Sequence, residues 1–362
     1  MFERGTTFGR EVIEMTDPVT GAFIIQLTSA QNASAKLYFE LQSFLCDDST
    51  IIFHSQRVPA RGASVELFRV DTDGRNLTQL TDEAHPMGHP VPAWTTRSVY
   101  GLRANVLIRL DVDTLEETEI ACCDEAVEGA SSSMSGDDRF FFTVATMKDG
   151  QKTIVRFATD GSEVAVMLRG IPVNHINADP AGTRFTFNRS LDPDDPGRIQ
   201  ICDFDGGNLR AFPFQRFAHR SWLGRTGRVQ GPLAAPARGI GSIAPDETEL
   251  KLVAGGSSFW HAASSLDGKW IVSDTNWPDV GIQLIHVESG RYACLCKSLG
   301  TNSVGQETHP HPSFNRAGTH VLYTSDQTGV SQIYLAAIPD TIRTELETGA
   351  LTHRQRWPGK VR

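Results

Sequence analysis

Gln306, His309 and His311 place one amide oxygen and two imidazoles within a six-residue segment, and Pro310 and Pro312 each follow a histidine. Proline disfavours the right-handed helical region for the residue before it, so both histidines are expected on extended backbone, where residues two apart point to one side. Imidazole nitrogen combined with a neutral amide oxygen suits a borderline or harder divalent cation better than a thiolate set would. The segment reads as one arm of a metal site; the alternative is a polar surface loop stiffened by proline. Two more histidines stand just ahead of strand-like sequence, His219 in Phe217-Ala-His219-Arg-Ser-Trp-Leu-Gly224 and His261 in Phe259-Trp-His261-Ala-Ala-Ser. Singly, each reads as a hydrogen-bonded structural residue, but equivalent placement in successive repeats is what a shared site requires. His54, His85, His89, His175, His286, His320 and His353 lack that equivalence and read as structural or surface residues.

Two weak patterns recur together along the chain and identify the elements that must carry these groups. In the first, a strand runs into an Asp/Gly turn and a second short strand, with turns beginning near Asp17, Asp71, Asp111, Ala158, Asp203, Asp246 and Val287. In the second, a polar turn precedes an aliphatic or aromatic strand beginning near Ile51, Val99, Phe140, Phe185, Val229, Trp270 and Val321. The turns stand about 40 to 53 residues apart, the blade period of a β-propeller. Both counts come to seven, so the chain is expected to be all-β, a seven-bladed propeller. The strand Phe23 to Thr28 has no preceding strands of its own, and the strands after Val321 lack a closing partner. The N-terminal strand is therefore expected to close the last blade and remove an open sheet edge. Residues 1–340 read as one propeller domain and 341–362 as a short surface helix with a loose basic tail carrying Arg343, Arg354, Arg356, Lys360 and Arg362. Because the loops entering the inner strands of a propeller converge at one mouth, His219, His261 and the Gln306 segment can meet there.

Composition narrows the partners. With 362 residues, 40% hydrophobic and 21% charged, the chain reads as a soluble globular protein. A formal net charge of −9 opposes a nucleic-acid partner, which needs a basic face. The start has no apolar signal region and nothing in the chain is long and apolar enough to span a bilayer, so a cytoplasmic protein with no membrane partner is expected. The six cysteines, at 46, 122, 123, 202, 294 and 296, form no CxxC pair and read as small core residues.

The chain resembles the oligogalacturonate lyases, the family 22 polysaccharide lyases, which are seven-bladed propellers that cleave short pectin fragments by β-elimination. The resemblance rests on Asp17-Pro-Val-Thr-Gly-Ala-Phe-Ile-Ile-Gln-Leu-Thr28, Leu37-Tyr-Phe39, His219 ahead of Ser221-Trp-Leu-Gly224, the His261 element and Gln306-x-x-His309-x-His311. It implies that His261, Gln306, His309 and His311 bind Mn2+ or another divalent cation and that His219 is the catalytic base. One departure concerns the substrate subsites: Ser34-Ala35-Lys36 stands where a His or a His-Arg pair is expected before Leu37.

The chemistry is consistent with those residue types. Removing the C5 proton of a uronate builds negative charge on its carboxylate, which a cation held by neutral ligands would stabilise, and a neutral imidazole can accept the proton. An acidic oligosaccharide on a negatively charged protein also needs local positive charge, for which Arg189, Arg220 and Lys36 are the candidates, while Trp260 and Trp277 could stack on sugar faces. The expectation is a metal-dependent lyase acting on short oligogalacturonates or related oligouronates. The competing readings are a non-catalytic TolB-like interaction propeller, which has no reason to cluster His and Gln, and a metal-dependent uronate isomerase or epimerase, which would use the same residues.

Overall fold

The computed structural model describes residues 2–58, 63–192, 194–276, 278–303 and 305–350, and all structural statements concern these. The Asp/Gly repeats form tight turns. In two copies Asp71 and Asp203 each accept a hydrogen bond from the amide of an asparagine five residues on, Asn76 at 2.7 Å and Asn208 at 2.6 Å. The intervening Gly74 and Gly206 sit at φ +81° and +86°, the left-handed region that glycine adopts without penalty. Each such turn folds two antiparallel strands together, and successive hairpins build the blades.

The strands form six four-stranded sheets and one five-stranded sheet; every pair is antiparallel, and every pair joins sequence neighbours except at the closure, where Phe23–Gln26 meets Gln332–Ala337. The first blade is Ser34–Lys36, Thr50–Ser55, Glu66–Asp71 and Thr78–Gln79. The last combines Ser313–Phe314, His320–Ser325 and Gln332–Ala337 with Phe23–Gln26 from the N-terminus. Ile24 lies opposite Ala336 and Ile25 opposite Leu335, so the closing strand stands where the repeat pattern puts it. A fifth strand, Ile13–Thr16, pairs outside it and is an addition to the expected blade. Upstream of that, the N–H groups of Gly5 and Phe8 donate to the carbonyls of Gln79 and Leu77, and the Gln79 N–H donates to the Thr6 carbonyl, so residues 5–8 pair with the outer edge of the first blade. The N-terminus thereby covers the outer edge of the first blade and completes the last.

Packing between blades is aromatic and aliphatic. Phe142, Phe185 and Phe204 form one such contact, with ring centroids 4.8 to 6.4 Å apart. A helix, Asp340–Thr348, follows the last blade. It buries Ile342 and Leu346 in the core shared with Leu284 and Leu295, and Arg291 Nε donates to the carbonyl of Leu346 at 2.6 Å. Arg343 lies over the Trp270 ring at 5.2 Å, whereas Arg354, Arg356, Lys360 and Arg362 lie outside the described residues. All six cysteines are free; Cys123, Cys202, Cys294 and Cys296 are buried, Cys46 is half-buried and Cys122 is exposed. No helix among the described residues is long and apolar enough to cross a membrane.

Candidate metal centre and adjoining cavity

The inner strands do not run straight. Gly88–Pro92, Asn174–Ala178 and Phe259–Ser264 each break register with their neighbour, between Gly88 and Val91, Asn174 and Asn177, and Phe259 and Ala262. A β-bulge of this kind re-aims a side chain, and each of these bulges holds one histidine: His89, His175 and His261. His89 and His175 share the same left-handed backbone, φ 53° and 50°. They are equivalent positions in two blades, which corrects their assignment as histidines without positional equivalence.

The Gln306 segment differs from expectation in one respect. His309 is extended, φ −80° and ψ 139°, but His311 lies at φ 45°. Proline excludes the right-handed helical region for the residue before it, and the left-handed region meets that exclusion too. Its N–H is directed at Asp274 Oδ2, 3.3 Å away. A non-glycine residue in this conformation is uncommon, with histidine among the more frequent exceptions.

These backbones bring three buried imidazoles together. The ligand nitrogens of His261, His309 and His311 all lie within 4.8 Å of one another. The hydrogen bonds around them decide which nitrogens are free. Asp274 accepts from the backbone N–H of His261 at 2.6 Å and pairs with its Nδ1 at 2.9 Å, leaving Nε2. His309 Nε2 donates to the Ser303 carbonyl at 2.9 Å, leaving Nδ1 buried without a partner. His311 Nε2 is likewise buried and unpartnered. Buried polar atoms are normally satisfied, so unpartnered nitrogens converging on one point fit a bound cation. Burial, followed by the neighbouring His261, holds His311 well below the ordinary imidazole range, in the neutral form that ligates metal.

The other residues singled out from sequence fall in different places. His219 is outside the trio, its ring centroid 4.5 Å from that of His261, and its Nδ1 is buried without a partner. Burial first, and His261 second, push its pKa down to about 3. The neighbouring strand passes close beneath it at Gly231, where a Cβ would lie 2.0 Å from the His219 carbonyl oxygen. Gln306 begins a short 3-10 turn, Gln306–Thr308, with its side chain exposed. It lines a cavity of about 960 Å³ whose wall also includes His311, Lys36, His54, His89 and His175. Trp260 packs its ring against both His261 and His309, each at a centroid distance of 4.3 Å. Trp277 lies outside the described residues.

The three basic candidates separate. Lys36 is buried in the cavity wall, its Nζ donating to the Leu37 carbonyl at 2.6 Å, and burial brings its pKa down to about 7 against the opposing charge of Asp274. Arg220 is buried beneath the inner strands, where its guanidinium donates to Thr186 Oγ1, Asn188 Oδ1 and the His175 carbonyl. Arg189 faces Asp195 at 3.1 Å with its side chain 45% exposed, and it is not among the residues lining this cavity. Asp274 and Glu40 were not recognised from sequence. Asp274 had a signal: it stands in Trp270–Thr275, a strand buried at every position, where an acid needs a partner.

No family model matches the chain. It is 23% identical to the oligogalacturonate lyase of Dickeya dadantii (strain 3937), over 90% of this chain and 96% of that protein. It is 21% identical to the oligogalacturonide lyase of Pectobacterium atrosepticum, with the same coverage of both. Among solved structures, an oligogalacturonate lyase in complex with manganese superimposes with a TM-score of 0.82 at 20% identity, covering 94% of this chain and all of that one. The oligogalacturonate lyase of Vibrio parahaemolyticus gives 0.80 at the same identity and coverage. The chain resembles the oligogalacturonate lyases in sequence along 90% of its length and shares their seven-bladed fold along 94% of it.

Proposed function

We propose that this protein is a lyase that cleaves short oligogalacturonates by β-elimination and depends on a divalent cation held by His261, His309 and His311. The observation that carries the reading is the convergence of those three buried imidazoles, two of them with buried unpartnered nitrogens, beside a large cavity in an oligogalacturonate-lyase-like propeller. Gln306, at the wall of the same cavity, is the nearest amide in sequence to complete the set. When bound, the cation would supply positive charge for the uronate carboxylate as the C5 proton leaves.

The chain's own residues account for the remaining requirements. His219 is neutral at neutral pH and has an unpartnered Nδ1, so a lone pair is free to take the C5 proton. Lys36 uses one donor on Leu37 and has two more for a substrate carboxylate. Arg220 acts indirectly, by fixing the carbonyl of His175 and hence the strand that borders the cavity. The cavity, about 960 Å³, is of the size that encloses small ligands and leaves room for more than one sugar.

Incubation with digalacturonate and trigalacturonate in the presence of manganese tests the proposal. A rise in ultraviolet absorbance from a 4,5-unsaturated uronate is expected, a product that neither hydrolysis nor epimerisation generates. A panel of oligouronates that yields no such product would overturn it.

A further inference from the structure

Elimination moves two protons, and His219 accounts for one. The other must reach the oxygen that leaves C4, because a sugar alkoxide departs poorly without it. In the wall of the same cavity as His311, a second arrangement has the form this step needs. His175 sits at the bulge of Asn174–Ala178 with φ 50°, and its carbonyl is fixed by Arg220 Nη2 at 3.1 Å. Its Nδ1 faces Glu40 Oε2 at 3.6 Å. The Glu40 side chain is only 9% exposed, whereas that of His175 is 43% exposed and lines the cavity. A nearly buried carboxylate orienting one nitrogen of an accessible imidazole leaves the other nitrogen for a ligand, as in nucleophile and acid-base dyads generally.

We infer that His175, oriented by Glu40, is the general acid that protonates the departing O4 oxygen. The inference rests on the lyase reading above. In the step, the C5–H pair becomes the C4=C5 double bond and the C5 proton goes to His219. The C4–O4 bond breaks with its electron pair on O4, and that oxygen takes the Nε2 proton of His175. Exchange with water then returns a proton to His175 and removes one from His219. The groups facing His175 favour its protonated form: the Glu40 carboxylate beside it raises its pKa, against burial and the cations Arg220 and Arg198. The Tyr38 ring lies 6.0 Å from the His175 ring and is held neutral by its own burial.

The test compares two leaving groups. His175→Gln should lower kcat on trigalacturonate by about 10²- to 10⁴-fold. On a galacturonate carrying a nitrophenol as an ether at C4, a leaving group that needs no proton, the same variant should retain most of the wild-type rate. Manganese affinity and melting temperature should not change. Glu40→Gln should move the alkaline limb of the kcat profile to lower pH, because His175 then loses its proton more readily. Equal losses of His175→Gln on both substrates, an unimpaired rate on trigalacturonate, or an unmoved alkaline limb in Glu40→Gln would overturn the inference. A wild-type protein that makes no unsaturated product from either substrate overturns the lyase reading itself, and this inference with it.

Discussion

Asp274 grips His261 twice, accepting its backbone N–H at 2.6 Å and pairing with its Nδ1 at 2.9 Å, with both side chains 2% exposed. The two contacts fix the ring's direction and its tautomer together, so Nε2 carries the free lone pair. The same carboxylate reaches the N–H of His311, at 3.3 Å. One acid on Trp270–Thr275 thus organises two of the three converging imidazoles.

Asp274→Asn removes the charge and presents either an amide oxygen or an amide donor to Nδ1, no longer enforcing the tautomer. Losing a partner of this kind typically weakens metal binding about 10- to 100-fold. Calorimetric titration of Mn2+ should show that loss while circular dichroism remains that of the folded propeller. Unchanged affinity would remove Asp274 from the site.

His219 stands beside the trio without joining it. His219→Ala should keep wild-type Mn2+ affinity and lose about 10²- to 10⁴-fold in kcat, the pattern of an interaction made in the transition state. Parallel losses of metal affinity and turnover would instead make it a ligand.

Removing residues 1–30 strips Phe23–Gln26 and Ile13–Thr16 from the last blade and uncovers the outer edge of the first. Exposed edges pair with other chains, so light scattering should detect aggregates and the melting transition should broaden or disappear. A monomeric deletion variant with the parent's melting temperature would show that closure is dispensable.

His54, in Thr50–Ser55 at the cavity wall, is pushed down to about 4, chiefly by burial and then by His89. The unfolded chain titrates near 6.5, so between those values it binds more protons than the native state. Stability is therefore fully present above this window and falls as pH drops through it, by up to about 1.4 kcal/mol per pH unit. Urea titrations at the two ends of the window should show a slope of this sign, and His54→Gln should reduce it, with the depressed His219 and His311 supplying the remainder. An equal slope in the variant would place the acid sensitivity elsewhere.

The legible parts of the molecule are those with short-range or repeating signals. The seven turns, the closing strand and the His309/His311 pair each depend on residues close in sequence or at a fixed period. Ile13–Thr16 was not legible because its alternation spans only four mostly exposed residues outside the repeat, and it pairs where Phe23–Gln26 offers an edge. His89 and His175 were missed because matching the repeats on their turns hides a bulge that exists only in the pairing register. Arg220 looks the same in sequence whether it meets a substrate or, as here, Asn188 and Thr186 from the preceding blade.

The proposed chemistry depends on His261, His309 and His311 holding one divalent cation. Titrating Mn2+ into metal-stripped protein by calorimetry tests it most directly, alongside His309→Ala. One site per chain is expected in the parent, lost in the variant, with both proteins giving the same β-rich circular dichroism spectrum. Absence of binding in the parent, or an equal affinity in His309→Ala, would contradict it.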